Sequence, residues 1–217
     1  MSDSTLNRTL TYPLHCKSES SILGYNEEAY DPGSRWYAIW TRSKQEKEVA
    51  AMLSALGIQH YLPLKSELRQ WSDRMQRVWL PLFSGYLFVS LSSLKNSKLQ
   101  VLRIPGVGAF VGNQTGPLSI PYQQIQGIRQ VLTAGVECSV QPSVKQGDWV
   151  RVMRGALAGI EGTLVRIDST SRLLISIEMI NQSLSVNVLR SDVEVVGNNS
   201  VYAMHYGQSV AIPQVRH

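Results

Sequence analysis

The chain has 217 residues, of which 43% are hydrophobic and 17% charged, and its formal net charge is +5. That length accommodates one large or two small folded units, and the composition excludes a disordered chain. No run of about 18 apolar residues offers a membrane span, no secretory signal core precedes Trp36, and Cys16 and Cys138 form neither a CxxC pair nor a disulfide framework, so a reduced, cytoplasmic setting is expected.

Residues 1–34 show no sustained hydrophobic period and are expected to be a disordered tail. Trp36-Tyr37-Ala38-Ile39-Trp40-Thr41 is aromatic and branched, which predicts a strand. A helix should follow, capped by Ser43 with Glu46 as capping-box partner, carrying Val49, Met52, Leu53 and Leu56 on one face and ended by Gly57. The stretches 59–71 and 76–82 flank Ser72-Asp73-Arg74 and predict a hairpin. Beyond it, Tyr86 to Ser90 reads as a strand, Leu94 to Leu102 as a helix stopped before Pro105, and Val107 to Val111 as a strand. Pro121 to Thr133 reads as a helix with proline at its first position. The order β-α-β-β-β-α-β-α predicts an α+β unit over 35–134, with helices flanking a mostly antiparallel sheet.

Residues 135–146 hold Pro142 and no period, and are expected to be a linker. In 147–196, five short stretches (148–153, 162–167, 172–180, 183–189 and 193–196) predict strands of a small β-barrel, with turns at Arg154-Gly155, Asp168-Ser169 and Asn181-Gln182. Leu173 to Ile177 and Ser183 to Val188 favour strands over a helical hairpin, being rich in branched and small polar residues. A second disordered tail is expected over 197–217.

Charge is unevenly divided. The segment 36–134 holds eleven basic and four acidic residues, whereas 135–196 holds six basic and seven acidic. The positive excess of the first unit points to a polyanion, with nucleic acid the commonest, although an ordinary solvated basic surface carries the same charge. Lys65, Arg69, Arg74 and Arg77, interleaved with Trp71 and Trp79, with Arg42 and Lys44 after the first strand, are the candidate nucleic-acid-binding residues. The same pattern also suits a solvated hairpin whose tryptophans pack inward.

No catalytic constellation is present: His15, His60, His205 and His217 are scattered, and no acid, base and nucleophile converge. His15-Cys16 supplies two ligand types where a zinc site usually takes about four. Gly106, Gly108 and Gly112 miss the dinucleotide fingerprint. The chain is therefore expected to be a non-enzyme without metal or cofactor.

Four blocks in order carry a family resemblance: Trp36-Tyr37-Ala38-Ile39-Trp40; Pro81 to Val89; Ile104 to Gly112 followed by Pro117-Leu118; and Gly147-Asp148-Trp149-Val150-Arg151-Val152 with Gly155 to Gly159 and Gly162 to Val165. They resemble the NusG family of transcription factors, in which an NGN domain (here 35–134) precedes a KOW domain (147–196), a small SH3-like barrel. Tyr86-Leu87-Phe88-Val89 and Leu173 to Glu178 are similar to the specialised RfaH and UpxY-type antiterminators of polysaccharide operons.

The resemblance implies an elongation or antitermination factor that binds the clamp helices of RNA polymerase, touches non-template or upstream DNA, suppresses pausing or termination, and acts as a monomer. It places the polymerase contact at Ala38, Trp40, Tyr86 and Phe88, with Phe110 nearby, leaving Tyr37, Ile39, Leu87 and Val89 to the core. Where RfaH-like proteins carry a His-Thr run, this chain has Ser97-Lys98-Leu99-Gln100. Gly155, Gly159 and Gly162 suit tight turns. The near-neutral second domain favours a protein partner, a termination factor or the ribosome, with Ile160 and Met179 as candidate contacts. The rival reading is a ribosome- or RNA-binding KOW protein, which would be expected to carry its basic excess on the barrel.

Overall fold

The computed structural model describes residues 33–71, 74–142, 147–167, 170–177 and 180–198. Most of both expected tails, the Ser72-Asp73 and Asp168-Ser169 turns, Met179, His15, Cys16, His205 and His217 lie outside the described residues.

The first strand, β1 (Arg35–Thr41), is buried almost along its length. Alternation turns Trp36, Ala38 and Trp40 to one face and Tyr37, Ile39 and Thr41 to the other. The chain then crosses a tight loop, where the Arg42 amide donates to the Gly106 carbonyl at 2.8 Å and Lys44 adopts φ +65°. Helix α1 (Glu46–Ala55) follows. The expected Ser43 cap does not form: Gln45 is the N-cap residue and no side chain caps the end. Glu46 is instead buried, and its carboxylate accepts the Gly85 amide at 2.7 Å. A buried turn amide must find an acceptor, whereas a helix terminus can use water, so the tertiary bond wins over the local one. At the other end Gly57 is left-handed, φ +67°. Ile58 and Gly57 amides donate to the Leu53 and Ser54 carbonyls at 2.9 and 3.0 Å, a Schellman closure.

Next come β2 (His60–Tyr61), β3 (Leu64–Trp71), β4 (Arg74–Pro81), β5 (Tyr86–Leu91), α2 (Leu94–Leu102) and β6 (Val107–Phe110). Three two-residue strands not anticipated from sequence, β7 (Gly112–Asn113), β8 (Gly116–Pro117) and β9 (Ser119–Ile120), lead into α3 (Tyr122–Ala134). Pro121 is the N-cap of α3, with ψ 134°, and not its first helical residue. One antiparallel sheet has the order β2-β5-β1-β6, with β9 also paired to β1, while β3 and β4 form a separate two-stranded ribbon. Beneath α1 and α2 one face of the sheet packs Tyr37, Ile39, Leu87 and Val89 with Val49, Leu53, Val101 and Ile104. The opposite face packs Trp36, Ala38 and Phe88 with Ile125, Ile128 and Val131 of α3.

Gly135, at φ +64°, closes α3. Within the stretch expected to be a linker, Cys138–Pro142 forms β10, paired along its length with β14 (Gln182–Asn187). The remaining strands are β11 (Asp148–Val152), β12 (Glu161–Ile167), β13 (Thr170–Ile177) and β15 (Val193–Asn198), the last preceded by a 3-10 turn at Arg190–Asp192. The sheet order is β10-β14-β13-β12-β11-β15, so six antiparallel strands stand where five were expected. Residues 170–177 and 182–187 are strands, as local preference indicated, and not a helical hairpin.

The two sheets are not independent. One buried cluster runs from Ala38 and Phe88 through Ile125 and Ile128 to Val150, Ile160, Leu173 and Ile175. Gly127 is buried inside α3, and a Cβ there would meet Ile175 Cγ2 at 3.4 Å and Ile160 Cγ2 at 3.7 Å. Glycine weakens a helix interior by roughly 1 kcal/mol relative to alanine. Here a methyl group would reach only ordinary contact, whereas a longer side chain would meet the second sheet. Gln130 Nε2 donates to the Ala156 and Ala158 carbonyls at 3.0 Å each, tying the same helix face to the loop before β12.

Candidate functional site: sheet aromatics and a two-faced ribbon

The register of β1 on β5 places Ala38 opposite Phe88 and Trp40 opposite Tyr86, so these four candidates do share one face. Their exposure then divides them. Ala38 and Phe88 are fully buried, with Phe88 6.4 Å from the Tyr61 ring and 6.1 Å from that of Phe83. They belong to the core, and the expectation of Ala38 and Phe88 as surface contacts is corrected. Packing of α3 accounts for the burial, since its apolar face covers the middle of the sheet. Trp40 and Tyr86, one residue pair nearer the sheet end, remain half-buried. Partial burial pushes the Tyr86 phenol above its ordinary pKa. Phe110 pairs with Ile39 on β6 and stands edge-on to Tyr37 at 6.2 Å. It therefore lies on the α1 and α2 side, away from Trp40.

Two glycines border Trp40: Gly108 makes room for its ring, while Gly85 owes its glycine to a left-handed backbone and would meet the indole only at ordinary contact. A Cβ at Gly108 would lie 2.0 Å from Trp40 Cε3, and one at Gly85, whose φ is +78°, 3.6 Å from Nε1. Neither was singled out from sequence as a positioning residue. Leu118 and Tyr122, half-buried against the same cluster, were also missed; the strand-helix junction that brings them there has no periodic signature.

The ribbon cations fall on two faces. Directly opposed residues share a face, and the register pairs Lys65 with Leu80, Glu67 with Val78, Arg69 with Gln76, Leu68 with Arg77, Gln70 with Met75 and Ser66 with Trp79. Lys65 and Arg69 thus project from one side, where Arg74 continues the same row, while Arg77 projects from the other with Leu68, Met75 and Trp79. Trp79 is 40% exposed, so it does not pack inward. Arg69 makes only an exposed contact with Glu67 at 3.5 Å, a pairing that contributes little and leaves the guanidinium available. At the ribbon's root, burial pushes the Cys138 thiol above its ordinary pKa, and the Lys65 charge partly opposes that rise. Arg42 and Lys44 are exposed, but their loop is anchored at Gly85 and Gly106 instead of on the ribbon.

In the second sheet, Gly155 and Gly159 have φ of +81° and +87°. Gly162 has a different reason: a Cβ there would lie 2.4 Å from the Leu174 carbonyl oxygen on the neighbouring strand. All three have structural grounds. Ile160, expected as an exposed contact, is buried against α3. Glu161 accepts hydrogen bonds from Arg151 Nε at 2.8 Å and Trp149 Nε1 at 3.3 Å, so the cleft of ≈ 410 Å³ between α3 and this sheet has its carboxylate already engaged. His60 is buried with Nδ1 at 3.0 Å from the Ile58 carbonyl, a structural histidine. Among the described residues no helix is long and apolar enough to cross a membrane.

A family profile described as transcription termination factor nusG matches residues 34–129. The transcription termination/antitermination protein NusG of Thermus thermophilus is 30% identical over 152 residues, which cover 61% of this chain and 82% of that relative. The Helicobacter pylori protein of the same name is 25% identical over 181 residues, 73% of this chain and 97% of the relative. A structure solved for domain interaction in Thermotoga maritima NusG is similar at 21% identity and TM-score 0.44, covering 75% of this chain and 97% of that one. This chain belongs to the NusG family, which consists of transcription factors and not enzymes.

Proposed function

We propose that this protein rides on RNA polymerase and suppresses pausing or termination, with the half-buried pair Trp40 and Tyr86 as the polymerase anchor. The observation that carries the reading is this cross-strand aromatic pair, left accessible at the end of an otherwise covered sheet in a NusG-family chain. Aromatic residues of this kind dominate protein interfaces because they bury much area at little entropic cost. Tyr86 and the run 173–178 support a specialised paralogue serving polysaccharide operons.

The cationic face of the ribbon, with Lys65, Arg69 and Arg74, lies along upstream or non-template DNA, and Arg42 and Lys44 add charge from their separate loop. Phosphate neutralisation releases counterions, so each such contact steepens the salt dependence. The second sheet, a KOW barrel in this reading, takes a protein partner such as a termination factor or the ribosome. The mechanism breaks no bond: binding favours the active polymerase conformation over the paused one.

The test is co-purification with core RNA polymerase followed by a pause assay on a defined template. Trp40→Asp should abolish both binding and pause suppression while the circular dichroism spectrum is retained. A folded Trp40→Asp chain that binds polymerase as well as the parent would remove the aromatic anchor.

A further inference from the structure

Helix α3 turns two different faces to its neighbours. Toward the first sheet it presents Ile125, Ile128 and Val131, all fully buried. Toward the second it presents Gln123, Gly127 and Gln130, which recur at helical spacing and line the cleft of ≈ 410 Å³ with Trp149, Ile160 and Glu161. The second sheet therefore meets a glycine and amides where the first sheet meets aliphatic side chains. A contact this lean in apolar groups leaves relative motion of the two units as the default.

The two ends of this contact differ. At the C-terminal end of α3, Leu132, Ala134 and Val136 pack against the buried cluster. The chain then enters β10 after Gly135, Val136 and Glu137 alone, and three residues span about 10 Å when fully extended. Pairing with β14 from Cys138 to Pro142 makes β10 move with the second sheet. The cleft, by contrast, is lined by α3 residues within 121–130, the half of the helix away from this connection. From Tyr122 to Ala134 the helix is roughly 20 Å long, at about 1.5 Å per residue. The contact is closed at its connected end and gapes at the other.

We propose that the second sheet pivots as one body about residues 135–137, opening the cleft at the N-terminal half of α3 while β10 stays on β14 and the connected end stays packed. The connection is too short for the sheet to leave the helix, and the contact at Gly127 is too lean to fix the angle between them. Gly135, at φ +64°, takes up the change in backbone dihedrals, since glycine carries the least steric restriction. Gln130 is the latch. Its Nε2 donates to the Ala156 and Ala158 carbonyls at 3.0 Å each, and these exposed bonds exchange for water when the sheet swings away. The pivot governs access to Ile160 and Ile175, which the closed position buries. It does not depend on polymerase binding, and either can fail alone.

The experiment measures distances between paired spin labels in the full chain carrying Cys16→Ser, with Cys138 too buried to take a label. Gln123→Cys with Ala158→Cys spans the cleft, and Thr133→Cys with Asn187→Cys spans the connected end; all four positions are exposed. Opening is driven by Gly127→Leu, which wedges the contact, and separately by Gln130→Ala, which removes the latch. A pivot of about 20° on a lever of roughly 20 Å moves the far end about 7 Å. The cleft pair should lengthen by about that much in Gly127→Leu and by less in Gln130→Ala, while the connected pair keeps its distance and width. A Gly-Ser insertion of about six residues after Glu137 should broaden the connected pair as well, because the sheet is then free to leave. The pivot is overturned if both pairs lengthen together without the insertion, which means release. It is equally overturned if the cleft pair stays unchanged in the substituted chains that keep the parent circular dichroism spectrum, which means a fixed angle. If Gly127→Leu does not fold, Gln130→Ala decides. An insertion that leaves the connected pair unchanged would show that the three-residue connection is not what holds the sheet to α3, and would also overturn it.

Discussion

The indole of Trp40 occupies the space above Gly108, where a Cβ would come to 2.0 Å from Cε3 and 2.3 Å from Cζ3. Something must move if residue 108 gains a side chain. Gly108→Ala is expected to expel the indole from its seat or to cost about 1–3 kcal/mol as overpacking. Tryptophan emission and the urea midpoint distinguish these outcomes. In either case polymerase affinity should fall, although residue 108 presents nothing to a partner. Retained affinity with a displaced indole would show that Trp40 is not the anchor.

Glu46 and Gly85 make the next testable pair. The Gly85 amide has the buried Glu46 carboxylate as its acceptor at 2.7 Å. Removing that acceptor strands a buried donor, so Glu46→Ala should destabilise by about 1–3 kcal/mol. Glu46→Gln retains an oxygen at the same reach and should cost clearly less. Equal losses in urea denaturation would mean that the bond contributes nothing beyond packing.

Element order and most boundaries were legible in the sequence because they rest on local signals. Leu94–Leu102 is bounded as expected, and Gly57 ends α1 as its position suggests. What stayed hidden was long-range. Nothing near Ser43 indicates that Glu46 will turn inward to an amide 39 residues away. Nothing in Cys138–Pro142 announces that its partner is β14. The burial of Phe88 and Ile160 depends on where α3 lies, and only a packed structure supplies that. The two-faced character of the ribbon was available in principle: once the pairing of Leu68 with Arg77 is known, alternation sorts every side chain.

His60 links stability to pH. Burial lowers its pKa below the ordinary 6.5, and the bond to the Ile58 carbonyl only partly opposes this. A depressed histidine pKa means that the unfolded chain binds the proton more readily, so stability is lost as pH falls below about 6.5, the unfolded value. His60→Gln should flatten this limb over the window just below about pH 6.5. The check is the difference in urea midpoint between the two proteins across that window; parallel curves would remove His60 as the source.

The contact between α3 and the second sheet yields the last prediction, and it turns on side-chain size at one position. At Gly127 an added Cβ would lie 3.4 Å from Ile175 Cγ2 and 3.7 Å from Ile160 Cγ2, which is ordinary contact. Gly127→Ala should therefore be accommodated, and better helix propensity should stabilise the protein by up to about 1 kcal/mol. Gly127→Leu extends three heavy atoms further into two isoleucines that are themselves buried, so the sheet must retreat from the helix or α3 must shift. Gln130→Ala removes the amide that holds the Ala156 and Ala158 carbonyls and should loosen the same contact more mildly. Small-angle scattering and amide exchange read the outcome. The leucine variant should show a larger radius of gyration and faster exchange in α3, while β10, paired with β14, keeps its protection. If alanine and leucine behave alike, the two sheets are not held together through Gly127.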